Sequence, residues 1–279
     1  MISHHSKKYK HFYFNELETT TVELIEDAIA GKYNYNVFKP EWITREMFEQ
    51  RKDKCAYTRI IWSFGNNQKT YLFAKEIEDY KRSLHNAVVY NEWDDNAVKV
   101  LEIRKWPDHL SIRGRRLMSR SIIVRKNGGQ FGDRQLQQLE QLQQLQQLHR
   151  LERLQRLEGL ERLERLQLTS LSYDKVPIKP NSVIYCDPPY KGTGSYLSKF
   201  DHDKFWHWVR NQTQPVFVSE YIAPKEMQTI MAIRHKKKSS PTGCTDSVEK
   251  LFGNEAAIKI FKKSNEAQVS QAAQDRSLL

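Results

Sequence analysis

The chain has 279 residues, enough to bury one or two hydrophobic cores. Lys and Arg outnumber Asp and Glu by 45 to 34, a formal charge of +11, so the expected partner is a polyanion, with nucleic acid first. No apolar run approaches the ~20 residues of a membrane span, and Met1-Ile2-Ser3-His4-His5 lacks the apolar stretch of a secretory leader. Three scattered cysteines, Cys55, Cys186 and Cys244, offer neither zinc spacing nor a disulfide framework and fit a reducing cytoplasm.

In chain order, Phe12-Tyr13-Phe14 reads as a short strand. A helix follows, capped by Thr20 or Thr21, with Val22, Leu24, Ile25, Ala28 and Ile29 as its apolar stripe and Gly31 at its end. Helices are expected around 44–53, 74–84 and 95–103, with a turn at Trp62-Ser63-Phe64-Gly65-Asn66-Asn67. Residues 101–130 carry eight Lys or Arg against two acids. The densest part is Arg113-Gly114-Arg115-Arg116, with Arg120 beyond it.

From Leu136 to Leu166 leucine occupies every third position, eleven times. A three-residue step falls about 60° short of a helical turn, so the leucine stripe winds around a helix and does not form a heptad seam. The segment reads as a long helix or a helical pair broken near Gly159, serving as a spacer or as an arm for a helical partner.

The α/β order then resumes. Strands are expected at Leu168–Leu171, Val183–Cys186, Val216–Ser219 and Ala257–Phe261. A helix is expected from Phe200 to Arg210, capped by Asp201 or Asp203.

The sharpest motif is Asp187-Pro188-Pro189-Tyr190, which stops an apolar strand abruptly. Ligands of open α/β sheets bind outside the carboxyl ends of the strands. The prolines stiffen the loop and remove two N–H donors while keeping their carbonyls. A carboxylate, a carbonyl and an aromatic face together suit an exocyclic amine on a base that has been flipped out of a duplex. An ordinary strand-end turn is the plainer reading of Pro-Pro.

The stretch Ser182-Val-Ile-Tyr-Cys-Asp-Pro-Pro-Tyr190 resembles the catalytic motif of Dam-type DNA adenine-N6 methyltransferases, many of them phage-encoded. Phe14-Asn15-Glu16-Leu17-Glu18 is similar to that family's second-strand motif, Val216-Phe-Val-Ser-Glu-Tyr221 to the strand after its catalytic helix, and Glu249-Lys-Leu-Phe-Gly-Asn254 to a late-strand signature. The resemblance covers most of 12–262, and only the catalytic motif is highly specific. It implies a Rossmann-like mixed α/β sheet with an inserted, mainly helical recognition region, S-adenosylmethionine as cofactor and double-stranded DNA as partner, in a bacterial or phage-infected cytoplasm. Asp187 and the Pro188 carbonyl would hold the adenine N6 amine, Pro189 would stiffen the loop and Tyr190 would stack on the base. Glu16 would hold the cofactor ribose, with Asp187 facing the cofactor side. Arg113, Arg115, Arg116, Arg120 and Lys191 are the candidate DNA contacts. The implied division is a partial methyltransferase core at 1–34, target recognition at 35–135, the leucine repeat at 136–167, the catalytic core at 168–263 and a polar tail at 264–279.

One feature departs from the family: its glycine-rich loop, roughly Phe-x-Gly-x-Gly, has no counterpart, since no glycine precedes Gly31. A truncated remnant, an upstream fragment that completes the enzyme and a misassigned start all fit that departure, and all predict weak binding of S-adenosylmethionine by this chain alone. The competing functions are a non-catalytic DNA-binding remnant, methylation of another amine (cytosine N4, RNA adenine or a protein glutamine) and an interaction module built on the leucine repeat. Asn usually stands at the position of Asp187 in glutamine methyltransferases, which disfavours that substrate.

Overall fold

Parallel strand pairs organise both halves of the chain in the computed structural model, which describes residues 9, 11–34, 38–126, 150, 151, 153, 166–192, 200–238, 244–264 and 266. The fold is mixed α/β and divides into two compact units, Met1–Tyr173 and Asp174–Leu279.

In the first unit β1 (Phe12–Asn15) pairs in parallel with β2 (Leu166–Thr169), Phe12 opposite Leu166. Segments 1–34 and 35–135, read separately from sequence, thus share one unit, and the strand expected at Leu168–Leu171 begins two residues earlier, at the last leucine of the repeat. Helix α1 (Thr19–Ile29) follows β1. Its cap is Glu18 rather than Thr20 or Thr21: the longer carboxylate accepts from the N–H groups of both threonines and from both hydroxyls.

Helices α2 (Arg45–Arg51), α3 (Ala56–Ile61), α4 (Lys75–Val89), α5 (Asp95–Leu101) and α6 (Ile112–Lys126) build the core of this unit. In α4 the buried positions Ile77, Lys81, Leu84, His85 and Val88 recur at helical spacing. Phe48, Trp62, Leu101 and Trp106 pack in the same core, where the Trp106 indole donates to the Ala87 carbonyl at 2.7 Å.

The leucine repeat lies outside the described residues except at a few positions. Of these, Leu151 is 1 % exposed and belongs to the core. Its neighbour Arg150 donates from Nη1 to the carbonyls of Ile60, Ile61 and Ser63 at 2.8–2.9 Å, covering acceptors left at the carboxyl end of α3.

In the second unit β3 (Ile184–Cys186), β4 (Val216–Glu220), β5 (Gln228–Lys238) and β6 (Cys244–Gly253) form one sheet in the order β3-β4-β6-β5. Strands β3 and β4 are parallel, with α7 (His202–Asn211) in the connection between them, while β6 runs antiparallel to both its neighbours. Asp201 caps α7 by accepting from Lys204 N at 3.0 Å.

The strand expected at Ala257–Phe261 is instead part of helix α8 (255–264). Asn254 Oδ1 accepts from Ala257 N at 3.0 Å, and Ala257, Ile258 and Phe261 turn inward at helical spacing while Ile260 stays exposed. Among the described residues no helix is long and apolar enough to cross a membrane.

Among the buried charges of the first unit is Arg59, whose side chain is 2 % exposed and meets Glu18 Oε2 at 2.6 Å. Burial pushes the Glu18 carboxyl up, but hydrogen bonds from Thr20, Thr21 and Arg59, with the Arg59 charge, outweigh it and hold the group at about 2. Glu18→Ala is expected to cost about 3 kcal/mol, since it leaves the guanidinium buried without its carboxylate. The folded pKa lies below the ordinary 4.5, so this stabilisation is complete above about pH 4.5 and is lost as the pH falls towards 2. Urea unfolding of both proteins across that range is the check: the gap between them should close at the acid end.

Candidate functional site

The register of the second sheet decides what meets at its carboxyl edge. Cys186 lies opposite Val218 across the parallel pair, so the chain leaving β3 at Asp187 emerges beside Ser219 and Glu220 at the end of β4. Lys250 lies opposite Glu220 across the antiparallel pair, which brings Glu249 to the same edge.

Tyr190 is held by its hydroxyl. It donates to Glu249 Oε1 at 2.8 Å and lies 2.9 Å from Ser219 Oγ, and the Ser219 hydroxyl bonds the same carboxylate oxygen. The Tyr190 ring meets Tyr221 edge-on, with centroids 4.8 Å apart at 85°. Burial raises the Tyr190 phenol above its ordinary range. The Ser219 bond opposes that rise, and the Glu249 bond and the charges of Asp187 and Glu249 add to it.

A second set of bonds holds the backbone of the loop. The Glu220 side chain is fully buried and accepts from Lys191 N at 3.1 Å and from Tyr221 N at 2.7 Å. His202 Nε2 lies 2.8 Å from the Pro189 carbonyl, which can only accept, so Nε2 carries a proton. Glu220 Oε2 is 3.8 Å from the same nitrogen. After Lys191 the chain turns at Gly192, whose φ of +85° lies in the region that favours glycine.

Asp187 stands at the mouth of this arrangement and is exposed. Crowding on the protein side of its carboxyl raises the pKa; the Tyr190 hydroxyl opposes the shift and the Glu249 charge adds to it. Burial, with the Asp187 charge beside it, pushes the Cys186 thiol up to about 12, which leaves it protonated and unreactive at neutral pH. Among the described residues no cluster of His, Cys, Asp or Glu is placed to hold a metal ion.

The chain matches no family model and no curated protein.

Of the residues singled out from sequence, Asp187, Pro188, Pro189, Tyr190 and Lys191 share this loop. Glu16 belongs to the other unit, at the carboxyl end of β1, where its own N–H donates to Thr169 O and its carboxylate accepts from Glu18 N at 3.2 Å. The arginines lie on α6, also in the first unit. Arg113, Arg116 and Arg120 fall on one helical stripe, with Arg113 and Arg120 exposed. Arg115 is turned away from that stripe, and its Nη1 donates to the Val88 carbonyl at 3.4 Å.

His202, Ser219, Glu220 and Glu249 were not read as site residues from sequence. The only signal for three of them was their place in the segments Val216–Tyr221 and Glu249–Asn254; His202 carried none.

The opposite end of the sheet is locked by Asn254. Its Oδ1 accepts from Val216 N and Ala257 N, and its Nδ2 donates to Gln212 O at 3.1 Å and Gln214 O at 2.9 Å. Gly253 beside it leaves no room for a side chain: a Cβ there would stand 2.6 Å from Ile230 Cδ1 and 3.0 Å from Ala257 Cβ. Asn254→Ala orphans the buried Val216 N–H and uncaps α8. The expected loss is about 2–4 kcal/mol, read as a lower urea midpoint with unchanged m-value.

Proposed function

We propose that this chain is the catalytic core of an S-adenosylmethionine-dependent methyltransferase acting on adenine N6 in DNA. The observation that carries the reading is the loop Asp187–Tyr190 at the carboxyl end of β3, which sets an exposed carboxylate, two prolines and an anchored aromatic ring side by side. The mixed sheet, with its parallel β3–α7–β4 crossover, supports the Rossmann-like part of the reading.

The chain's own groups divide the work. Asp187 and the Pro188 carbonyl accept the two N–H bonds of the exocyclic amine and aim the nitrogen lone pair away from the base plane. The Pro189 carbonyl is already taken by His202, so it serves to hold the loop. Tyr190 offers its ring to a flipped base, whose stacking is worth about 1–3 kcal/mol. The cofactor, when bound, supplies an already reactive sulfonium methyl group. Positioning therefore contributes most of the catalysis. On α6 the stripe of Arg113, Arg116 and Arg120 fits phosphate contacts, which position a duplex without reading its sequence.

The full chain, incubated with duplex DNA and methyl-labelled S-adenosylmethionine at a concentration high enough to offset the weak binding expected without a glycine-rich loop, should yield N6-methyladenine, and Asp187→Ala should lower the rate by about 100-fold or more. Label appearing in N4-methylcytosine, or transfer by Asp187→Ala at the wild-type rate, would overturn the assignment. Because Asp187 must be ionised to accept well, and its pKa is raised, the rate should fall on acidification at a higher pH than an unperturbed aspartate would set.

Duplex binding should weaken with salt at a log–log slope of about −0.9 per phosphate contact. The double variant Arg113→Ala, Arg120→Ala should flatten that slope, whereas Arg115→Ala should chiefly lower stability. Equal slopes for the wild type and the double variant would remove α6 from the DNA interface.

A further inference from the structure

The two prolines stiffen the backbone of the loop, but they do nothing for the side chain of Tyr190. A ring that serves as a stacking platform must also be fixed about its own torsions, and the next turn, at Gly192, is a permissive one. The phenol end of this ring is tied to two other strands. Glu249, from β6, accepts on one oxygen from both Tyr190 and Ser219, and Ser219 comes from the end of β4. Tyr221, two residues beyond Ser219, meets the ring edge-on.

We propose that Glu249 is a positioning residue which, through its shared bond to Tyr190 and Ser219, fixes the Tyr190 ring for the incoming base. The proposal rests on the methyltransferase reading for what the ring does, but the clamp is defined by bonds that stand without it. Glu249 does not touch the substrate; it acts through Tyr190. Charge suits it to the task, because a carboxylate is an acceptor only and takes two hydroxyl donors on one oxygen without having to donate in return. Glutamine in its place keeps the shape and loses the charge.

Two measurements on the full chain test this. The first is a double-mutant cycle of methyl transfer to duplex DNA, using Tyr190→Phe, which keeps the ring and loses the hydroxyl, and Glu249→Gln. Each single variant should lower kcat by about tenfold with KM for S-adenosylmethionine unchanged, and the double variant should be no worse than the poorer single one, because both changes act on the same bond, Tyr190→Phe by removing its donor and Glu249→Gln by removing the charge of its acceptor. Multiplying effects, or Glu249→Gln at the wild-type rate, would overturn the clamp. The second measurement needs no activity: an alkaline titration of ζ-13C-tyrosine-labelled protein, with the Tyr190 resonance assigned by its loss in Tyr190→Phe.

Removing the Glu249 charge should let Tyr190 ionise at lower pH than in the wild type, and Ser219→Ala should leave Tyr190 still bonded to Glu249 and ionising late. An unchanged Tyr190 titration in Glu249→Gln, with circular dichroism confirming the fold, would overturn the clamp whether or not the wild type transfers methyl groups. Absence of any transfer by the wild type, with the titration shifting as expected, would overturn the enzymatic reading alone.

Discussion

Parallel pairing of β3 with β4 is the constraint on which the candidate site depends. Parallel neighbours cannot be joined by a hairpin; the chain must cross over, here through α7, and both strands then deliver their carboxyl ends to one edge of the sheet. That places the Asp187 loop beside Ser219 and Glu220, about thirty residues further on. The antiparallel return of β6 completes the set, because Lys250 lies opposite Glu220 at the end of β4 and Glu249 precedes it. A slip of one residue in the β4–β6 pairing would send Ser219 and Glu249 to opposite faces and dissolve the cluster.

The two ends of this sheet use their polar groups differently. At the amino end of β4, Asn254 bonds Val216 N, two carbonyls of the α7–β4 connection and the first turn of α8, so one amide joins three elements. Gly253 permits the close approach that this requires. At the carboxyl end, buried Glu220 is satisfied by backbone N–H groups of Lys191 and Tyr221, which ties the loop to the strand. An unsatisfied carboxylate at that depth would cost several kcal/mol, so the loop conformation and the burial of Glu220 sustain each other.

Contiguous chemistry was legible in the sequence, and chemistry assembled across the fold was not. Asp187-Pro188-Pro189-Tyr190 announces itself because its donors, acceptors and breakers are adjacent, and the strand before it and the helix capped by Asp201 follow from apolar runs and capping residues. Glu249 reaches Tyr190 across 59 residues and His202 reaches Pro189 across 13, distances at which no spacing rule speaks. Two local readings failed and β5 went unread, for identifiable reasons. Ile258 and Ile260 alternate like a strand, but the Asn254 cap makes the segment helical. Strands β5 and β6 carry too many charges, Arg234 through Lys238 among them, to show alternation. The threonines after Glu18 look like caps, yet the longer acid, paired with Arg59, takes the position. Charge density marked α6 correctly as basic, but the helical phase that sends Arg115 to Val88 is not visible in a count of arginines.

The loop's hydrogen-bonding character also limits which bases the proposed site would accept. Proline at two successive positions leaves that stretch with carbonyls and no backbone N–H. The Asp187 carboxylate, ionised, is again an acceptor only. An incoming base edge that presents an amine finds partners for both its N–H bonds. One that presents a carbonyl oxygen, as thymine and the O6 edge of guanine do, brings acceptor against acceptor and must give up its hydration without replacement. Leaving such groups unpaired costs about 1–3 kcal/mol each, which compounds to a rejection of about one to four orders of magnitude when two fail together. On the proposed reading, discrimination between amine-bearing and carbonyl-bearing edges is thus already built into the covalent structure of Asp187-Pro188-Pro189. The choice between adenine and cytosine is left to the ring of Tyr190 and the space around it.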